Sequence, residues 1–317
     1  MDAKKFLQKI VKEVKSYRGF TRKACVWELA KIFDAKCKFD DAGWFEVEDY
    51  KIVVTSDGIT EELTKDDPWL AGFYSVLVNV NDVVAKGAKP VGYIAVISSN
   101  SQKIRKKIVE GIKVAINKYE LKVLKIHTHP DSTYDSVDAG LVGVAKKVIP
   151  SSTASPGNKL VLAIDLEGGF RKKGWVRCFD SVVDKPADKL KKLLEAMVKA
   201  AEEDLVTASR DISSPGFLGS IAMFCESSGV GVWIDIEKIP KPANADWLFW
   251  LTSYPSLSFL VSTDKPGECL TLFRSHGYTA DVIGEVTKNK RIVLSYHNEE
   301  EVFLDLSKES VFGVERS

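Results

Sequence analysis

The stretch from Trp69 to Lys86 is predicted to form one long, mostly apolar helix that stops before Gly87 and Pro90. Apolar side chains occupy most of its circumference on a helical wheel, so other elements must cover it on several sides. Five small or polar residues fall in one line at spacings of three and four: Gly72, Ser75, Asn79, Asp82 and Lys86. A buried carboxylate needs a partner, and a bound cation is one solution. The alternative is that Asn79 and Asp82 cap neighbouring loops or face solvent at the helix edge.

Strand and helix patterns alternate around this helix. The segments "WFEVE" and "YKIVVTS" precede it, and "VGYIAVISS", a basic amphipathic helix over 103–118 and "LKVLKIHT" follow it. The order βαβαβ favours an α/β or mixed sheet. A stretch rich in Ser, Pro and Gly at 149–158 is the predicted linker. We therefore expect two domains, 1–150 and 159–317, the second of which begins with the strand pattern "KLVLAID".

The composition limits the classes of partner. The chain of 317 residues has a formal net charge of +1, with 45% apolar and 28% charged residues, which indicates neither disorder nor a general polyanion-binding surface. The five cysteines are scattered and form no C-x-x-C pair, so the expected location is the reducing cytoplasm. No apolar run reaches the roughly 20 residues that span a bilayer. We expect no nucleic acid and no membrane among the partners.

Several aspartates lie where strand patterns begin or end. Asp57 follows β-branched residues in "VVTSDG", and Asp40 and Asp41 precede the strand before it in "FDDAGWF". Strand ends that open into a cleft are where α/β proteins place ligand groups. Mg²⁺ prefers hard oxygen ligands, so these loops, together with Asp82 of the helix, predict a magnesium site. For Asp40 and Asp41 taken alone, a turn is the favoured interpretation.

The second half contains a helix start that suits a phosphate group. In "ASRDISSPGF", Ser213 or Ser214 can cap a helix whose first residue is Pro215, directly after Asp211. Free N–H groups and the positive end of the helix dipole favour an anion there, although an ordinary capped helix has the same pattern. The sequence has no G-x-x-x-x-G-K-[ST] motif and no G-x-G-x-x-G after a strand, so any nucleotide site belongs to another class.

These segments, in this order and spacing, resemble a known superfamily. The motifs extend from Asp40 to Val286 and are "DDA", "VVTSDG", "DPWLAGFYSVLVNVNDVVAKGAKP", "ASRDISSPGFLGSIAMFCESSGVG" and "VIGEV". They are similar to those of the aminoimidazole ribonucleotide (AIR) synthetase superfamily, which includes thiamine-monophosphate kinase, selenophosphate synthetase and hydrogenase maturation factor E. In length and lysine content the chain also resembles the AIR synthase-related subgroup known as methanogenesis marker protein two.

The resemblance implies a fold, an activity and a partner. The implied fold is the two-domain PurM-like fold of mixed α/β (α+β) class, in which the N-terminal sheets of two copies join in a homodimer barrel. The implied activity is that of an ATP- and Mg²⁺-dependent, kinase- or ligase-like enzyme of phosphoryl transfer. Such an enzyme phosphorylates a small-molecule acceptor or activates the acceptor through phosphorylation. The identity of the acceptor does not follow from the sequence.

The resemblance also implies site residues. The implied catalytic residues are Asp57, Asp82 and Asp211. The implied metal ligands are Asp40 or Asp41, Asp57, Asp82, Asp131 and Asp211. The implied cofactor-binding residues are Asn79, Ser213, Ser214, Gly19 and Thr21. Lys86 is either a phosphate contact or, as we expect, a solvated lysine at the helix end.

Two departures from the superfamily pattern leave other functions open. The segment "HTHPDS" replaces a glycine turn, and Ser214 stands where the kinase-like pattern has a second Asp. His127 and His129 are two residues apart on a strand, which predicts as one alternative a zinc hydrolase with Asp135 or Asp138 as a further ligand. A second alternative is a non-catalytic nucleotide-binding scaffold, although a scaffold has no use for converging carboxylates.

Overall fold

The computed structural model describes residues 2–33 and 39–315. Its α-helices are α1 (Ala3–Ser16), α2 (Arg18–Thr21), α3 (Val26–Ala30), α4 (Glu61–Asp66), α5 (Pro68–Ala85), α6 (Gln102–Tyr119), α7 (Ala187–Glu202), α8 (Gly216–Ser228), α9 (Trp247–Leu251) and α10 (Pro266–His276). Its strands are β1 (Gly43–Val47), β2 (Tyr50–Gly58), β3 (Lys89–Ser98), β4 (Lys122–His129), β5 (Ser136–Ala145), β6 (Lys159–Ile164), β7 (Gly169–Arg171), β8 (Cys178–Asp180), β9 (Ala208–Asp211), β10 (Gly231–Asp235), β11 (Tyr254–Pro255), β12 (Ser258–Thr263), β13 (Thr279–Thr287), β14 (Arg291–Tyr296) and β15 (Glu299–Asp305).

The chain divides into two units, each built from separate segments. The five-strand unit consists of Asp41–Val148 and Gly168–Glu202. The seven-strand unit consists of Met1–Asp40, Ile149–Glu167 and Glu203–Ser317. This division differs from the expected 1–150 and 159–317, because two segments group with elements that are distant in sequence.

The five-strand unit is a sheet with helices on one face. The strand order is β1-β2-β5-β3-β4, and β3 and β4 are the parallel neighbours. Helices α5 and α6 cover the inner face. They approach so closely at Gly72 that a Cβ there would collide with the backbone of Ile108, so this position requires glycine. The other side, which we call the outer face, exposes a row of apolar side chains: Phe45, Val54, Ile94, Val96 and Leu124.

Residues 168–202 belong to this unit through buried polar contacts. The Tyr74 hydroxyl of α5 donates a hydrogen bond of 2.7 Å to Asp180 at the end of β8. The Lys118 ammonium of α6 donates to the carbonyl oxygens of Val183 and Lys185 at 2.7 and 2.6 Å. Helix α7 then packs against α5 and α6. Desolvation lowers the pKa of Lys118, and the nearby Asp184 and Asp180 oppose that shift.

The seven-strand unit has the strand order β15-β14-β10-β13-β6-β12-β9, in which β10 and β14 are parallel. Helix α1 packs against β14 and β15. The rings of Phe6 and Tyr296 lie 4.4 Å apart, and Lys15 forms an ion pair of 2.7 Å with Glu309. These contacts explain why the first forty residues group with the end of the chain rather than with the segment that follows them.

The mixed α/β class expected from the sequence is confirmed, with local differences. The predicted helix over 22–33 is interrupted, because 3₁₀ turns at Arg22–Cys25 and Lys31–Phe33 flank the short helix α3. The described cysteines are free thiols, with Cys37 outside the described residues. None of the described helices is both long and apolar enough to cross a bilayer. The cytoplasmic location stays a prediction.

Candidate functional site

Helix α5 places the polar line inside the five-strand unit. Asp67 caps the first turn by accepting a hydrogen bond of 3.1 Å from Leu70 N, and Pro68 suits the first helical position. All polar side chains of the line are buried: Ser75, Asn79, Asp82 and Lys86. The alternative in which this line faces solvent is therefore wrong. Buried polar groups require partners in the protein or in a ligand.

Asp82 lies beside Asp41. One carboxylate oxygen of Asp41 is within 4.8 Å of one of Asp82. The Thr55 hydroxyl oxygen lies 2.8 Å from Asp82 Oδ2 and 3.0 Å from the Asp41 carbonyl oxygen, so it connects the two residues. Thr55 was not among the residues predicted from the sequence. Its position two residues before Asp57, on the same face of the strand, could have indicated it. Two buried carboxylates this close repel each other unless a cation lies nearby.

Lys86 supplies positive charge to this pair. Its Nζ lies 3.2 Å from Asp41 Oδ2, and the two side chains are 0% and 4% exposed. The expectation of a solvated lysine is therefore wrong: α5 ends inside the unit, and an ammonium buried there needs a carboxylate. Two carboxylates and one ammonium carry a formal charge of −1 together. The group can therefore accept further positive charge.

Asn79 presents an oxygen atom that no described residue uses. Its Nδ2 donates a hydrogen bond of 2.8 Å to the Ser75 carbonyl oxygen. Its Oδ1 is buried and has no hydrogen-bond partner among the residues that the structure describes. Leaving a buried acceptor unsatisfied costs about 1–3 kcal/mol, so such an atom in a native protein points to a ligand or a bound water.

A buried phenol supports the same part of the helix. Tyr93 of β3 lies with its hydroxyl oxygen 2.7 Å from Ser75 Oγ. Burial raises the pKa of Tyr93, and the hydrogen bond with Ser75 opposes the shift. The phenol therefore stays protonated near neutral pH and holds Ser75 in place beside the Asn79 amide.

Asp40 and Asp41 have different surroundings. Asp40 belongs to the seven-strand unit, where it accepts hydrogen bonds from Ser151 N at 2.8 Å and from Ser151 Oγ at 2.6 Å. These hydrogen bonds join Asp40 to a residue 111 positions later in the chain, whereas the sequence favoured a local turn for it. Asp41 is the one of the two that lies beside Asp82 and Lys86.

The remaining predicted carboxylates are distributed over both units. Asp57 is exposed near the end of β2, on the same strand face as Thr55 because the two residues are two positions apart. Asp131 is exposed in the turn after β4. Asp211 is the last residue of β9 in the seven-strand unit and is 4% exposed. That Asp57, Asp131 and Asp211 bind a metal stays a prediction.

The loop before α8 is ordered by its own contacts. Ser213 N donates a hydrogen bond of 3.0 Å to Ser220 Oγ, and the Ser213 carbonyl oxygen accepts one of 2.9 Å from Gly216 N. The helix begins at Gly216, one residue later than predicted, and Pro215 is its N-cap without a side-chain bond. Gly216 needs its glycine because its φ is +75° and a Cβ would press against Thr252.

The N-terminal segment reaches this loop within the seven-strand unit. Gly19 is buried, and a Cβ at this position would collide with the Ser214 carbonyl oxygen. The structure therefore brings together two segments that the sequence singled out for nucleotide binding. Thr21, at the end of the same short helix, is exposed, and its hydroxyl donates to the Arg18 carbonyl oxygen at 3.4 Å.

His127 and His129 lie side by side on the edge strand β4, with ring centroids 5.0 Å apart. Asp138 of β5 accepts a hydrogen bond of 2.9 Å from Ser136, and its carboxylate lies where a Cβ on Gly58 would be. Among the described residues, no group of three metal-ligating side chains forms around the two histidines. The zinc hydrolase alternative therefore has only two of the ligands that it needs.

Two family models match the chain. The model described as AIR synthase related protein, N-terminal domain, matches residues 39–145, and that of the C-terminal domain matches residues 160–297. An uncharacterized protein of Methanocaldococcus jannaschii is 32% identical over 332 residues, which is 97% of this chain and 99% of the relative. The PurL subunit of phosphoribosylformylglycinamidine synthase from Saccharolobus islandicus is 27% identical over 88% of this chain, and the chain spans 44% of that subunit.

Solved structures share the fold. Thermotoga maritima PurL complexed with FGAR has a TM-score of 0.77 at 17% identity, over 98% of this chain and 54% of PurL. AaThiL complexed with AMPPCP and TMP has a TM-score of 0.67 at 17% identity, over 87% of this chain and 95% of AaThiL. HypE in the HypE–HypF complex has a TM-score of 0.68 at 20% identity. Because the two family models together cover most of its length and a relative that is matched over 99% of its length is 32% identical, the chain belongs to the AIR synthase related protein family, with the PurM-like fold.

Proposed function

We propose that the chain is an ATP- and Mg²⁺-dependent enzyme that phosphorylates a small-molecule acceptor or activates it through phosphorylation. The observation that carries the proposal is the pair of neighbouring buried carboxylates of Asp41 and Asp82. Asp82 lies on the same side of α5 as Asn79, whose Oδ1 has no hydrogen-bond partner among the described residues. Nucleotide-bound relatives support it: T. maritima PurL is complexed with ADP in one structure and with ATP in another, and AaThiL with AMPPCP.

The donor atoms suit Mg²⁺. Carboxylate, hydroxyl and amide oxygens are the hard ligands that this cation prefers, and Asp41 and Asp82 supply carboxylates, with the Thr55 hydroxyl beside Asp82. We assign Asp41 and Asp82 as ligands, with Asp57 and Asp211 as further candidates. When bound, the cation would neutralise charge on the phosphate oxygens during transfer. Lys86 balances the charge of the Asp41 carboxylate. Because it lies beside the assigned ligands, Lys86 is also a candidate phosphate contact.

The seven-strand unit offers a phosphate-binding candidate. The loop of Ser213 and Ser214 precedes a helix of 13 residues, whose first backbone N–H groups and dipole favour an anion. Gly19 packs against this loop, and Thr21 follows on the same turn. We therefore assign these four residues to nucleotide binding, with Gly19 required for the close approach of the backbone.

Calorimetry with ATP tests the function. We expect the full chain to bind ATP in the presence of Mg²⁺ and to bind at least about tenfold more weakly in EDTA. Asp82→Asn keeps the shape and the contact with Thr55 but removes a ligand charge, so it should weaken Mg²⁺-dependent binding at least about tenfold. Asp40→Asn is the matched control, because Asp40 binds Ser151 instead, and its ATP affinity should stay at the wild-type value.

Two outcomes of this experiment would reject the proposal. One is ATP binding that is equally tight with and without Mg²⁺, which would mean that Asp41 and Asp82 hold no metal for the nucleotide. The other is a wild-type affinity in Asp82→Asn. Binding that depends on Mg²⁺ but is never followed by loss of the γ-phosphate, with any acceptor in a metabolite extract, would favour the scaffold alternative.

We also propose that the protein is a homodimer that forms through the outer face. Phe45 and Leu124 on this face are 56% and 57% exposed, and Val54 and Ile94 lie between them on the same side of the sheet. Contiguous apolar surface of this kind is rare on proteins that act as monomers. The outer face of a second copy can cover it, because a twofold axis brings the same surface of both copies together.

A further inference from the structure

A pocket with a volume of about 400 Å³ lies in the five-strand unit at the beginning of β3 and β4, where α7 forms one wall. Pockets of roughly 300–1,000 Å³ accommodate small organic molecules. Strand β2 runs in the same direction as β3, because both are antiparallel to β5. Asp57, near the end of β2, therefore lies at the opposite end of the strands from the pocket. Thr55, which contacts Asp82, is two residues before Asp57, so the pocket is separate from the site of Asp41 and Asp82.

The wall formed by α7 is apolar. Leu190, Leu194 and Val198 follow one another at intervals of four residues, so they lie on one side of the helix and line the pocket. Leu190 and Leu194 are buried, and Val198 is half-buried. A ligand that enters the pocket would therefore cover apolar surface, which is the main source of affinity in such sites.

The rim of the pocket carries an excess of positive charge. Five lysines and three glutamates line it. Glu120 is compensated by Lys191 at 3.0 Å. Lys89 and Lys122, at the first residues of the two parallel strands, have no ion-pair partner anywhere in residues 2–33 and 39–315. Their ammonium groups can bind an anionic group of a ligand.

Tyr119 adds a polar atom that lacks a partner. The residue lines the pocket and is 8% exposed. Its hydroxyl oxygen is buried and has no hydrogen-bond partner among the described residues. Burial, with a smaller contribution from Asp180, raises the pKa of Tyr119, so the phenol keeps its proton. A bound water molecule would satisfy this group.

We propose that this pocket binds a small organic anion with an aromatic or alicyclic body. Its carboxylate, sulfonate or phosphate group lies between Lys89 and Lys122, and its body lies against Leu194 and Val198. The proposal does not depend on the nucleotide site, because none of its residues belongs to the polar line of α5.

The probe that tests it is 8-anilinonaphthalene-1-sulfonate, an aromatic anion whose fluorescence rises in apolar surroundings. We expect saturable binding of one probe per chain at low concentration. The neutral N-phenyl-1-naphthylamine has the same rings without the sulfonate, and it should bind about tenfold more weakly, which corresponds to the loss of a charge-assisted contact. Equal affinity for the two probes would overturn the proposed chemical class.

Three variants locate the probe. Val198→Glu places a carboxylate in the pocket, and Lys122→Glu reverses a rim charge, so each should lower the affinity about tenfold or more. Lys125→Glu is the matched control, since it makes the same charge change on the same strand outside the pocket and should leave the affinity unchanged.

The outer face could also bind the probe, and Ile94→Lys distinguishes the two surfaces. Probe binding that is lost in Ile94→Lys but kept in Val198→Glu and Lys122→Glu would overturn the proposal. Circular dichroism checks that each variant is folded. If Val198→Glu does not fold, the exposed substitution Lys122→Glu alone decides the result.

Discussion

The ammonium nitrogen of Lys86 lies 3.2 Å from Asp41 Oδ2, and both side chains are buried. Removing one partner of a buried ion pair leaves an uncompensated charge and costs about 3–5 kcal/mol. Because Asp82 lies within 4.8 Å of Asp41, Lys86→Met leaves two carboxylates close together. We expect Lys86→Met to lower the free energy of unfolding by about 3–5 kcal/mol in metal-free buffer, measured by chemical denaturation.

The same variant should respond to Mg²⁺. With the ammonium removed, a divalent cation is the remaining way to neutralise the two carboxylates, so Mg²⁺ should raise the Tm of Lys86→Met more than that of the wild type. Lys192→Met, on an exposed position of α7, is the control and should show the wild-type response. A Tm of Lys86→Met that is indifferent to Mg²⁺ would argue against a metal at this pair.

Asn79 should affect stability and binding in opposite directions. Asn79→Leu removes an unsatisfied buried oxygen at nearly constant volume, so we expect the unfolding free energy to rise by about 1 kcal/mol. The affinity for Mg²⁺ and ATP should fall about tenfold, because the ligand can no longer contact this oxygen. Denaturation and calorimetry on one preparation measure both. A fall in stability with unchanged affinity would mean that Asn79 serves only the fold.

The outer face should control the oligomeric state. We expect light scattering during gel filtration to give twice the chain mass for the wild type and the single chain mass for Ile94→Lys, because a buried ammonium without a partner is costly. Val109→Lys makes a comparable change at an exposed valine of α6, away from the outer face, and should remain dimeric. A wild type that elutes as a monomer at micromolar concentration would refute the dimer.

Stability should fall at alkaline pH through buried thiols. Burial raises the pKa of Cys269 from 9.0 to about 12. The thiol is therefore protonated in the fold but ionises above pH 9.0 when unfolded, so its contribution is complete below that pH and is lost as pH rises toward 12. Each such group lowers the unfolding free energy by about 1.4 kcal/mol per pH unit in this window.

The comparison of variants isolates this effect. Denaturation between pH 9 and 11 should give a shallower loss of stability for Cys269→Ala than for the wild type, by roughly the slope of one group. Cys25→Ala removes an exposed thiol and should keep the wild-type slope. Parallel curves for Cys269→Ala and the wild type would show that this thiol does not report on folding.

Local patterns predicted the elements that local forces determine. The helix expected over 69–86 is observed as Pro68–Ala85, because a capping Asp, a proline and a stopping glycine mark its ends in the sequence. The polar line from Gly72 to Lys86 could also be predicted, since spacings of three and four are fixed by the helix itself, but the burial of Lys86 could not. The PurM-like fold is confirmed by the family models and by solved structures.

Partners that are distant in sequence could not be predicted. Asp41 and Lys86 meet only because β1, β2 and α5 pack together, and neither residue type reveals that pairing in advance. The same limit applies to Asp40, which no local pattern distinguishes from Asp41 although Ser151, 111 residues later, binds it. The grouping of 168–202 with α5 and α6 depends likewise on the buried contact of Asp180 with Tyr74.

The packing of α1 has a consequence for synthesis on the ribosome. Lys15 binds Glu309, 294 residues later in the chain. The apolar side of α1 therefore leaves the ribosome before β14 and β15 are synthesised, and it stays uncovered until these strands form. Because long-range contacts form slowly and exposed apolar surface invites aggregation, the nascent chain needs shielding during this interval. Translation speed and chaperone supply should thus affect the yield of this protein more than its final stability suggests.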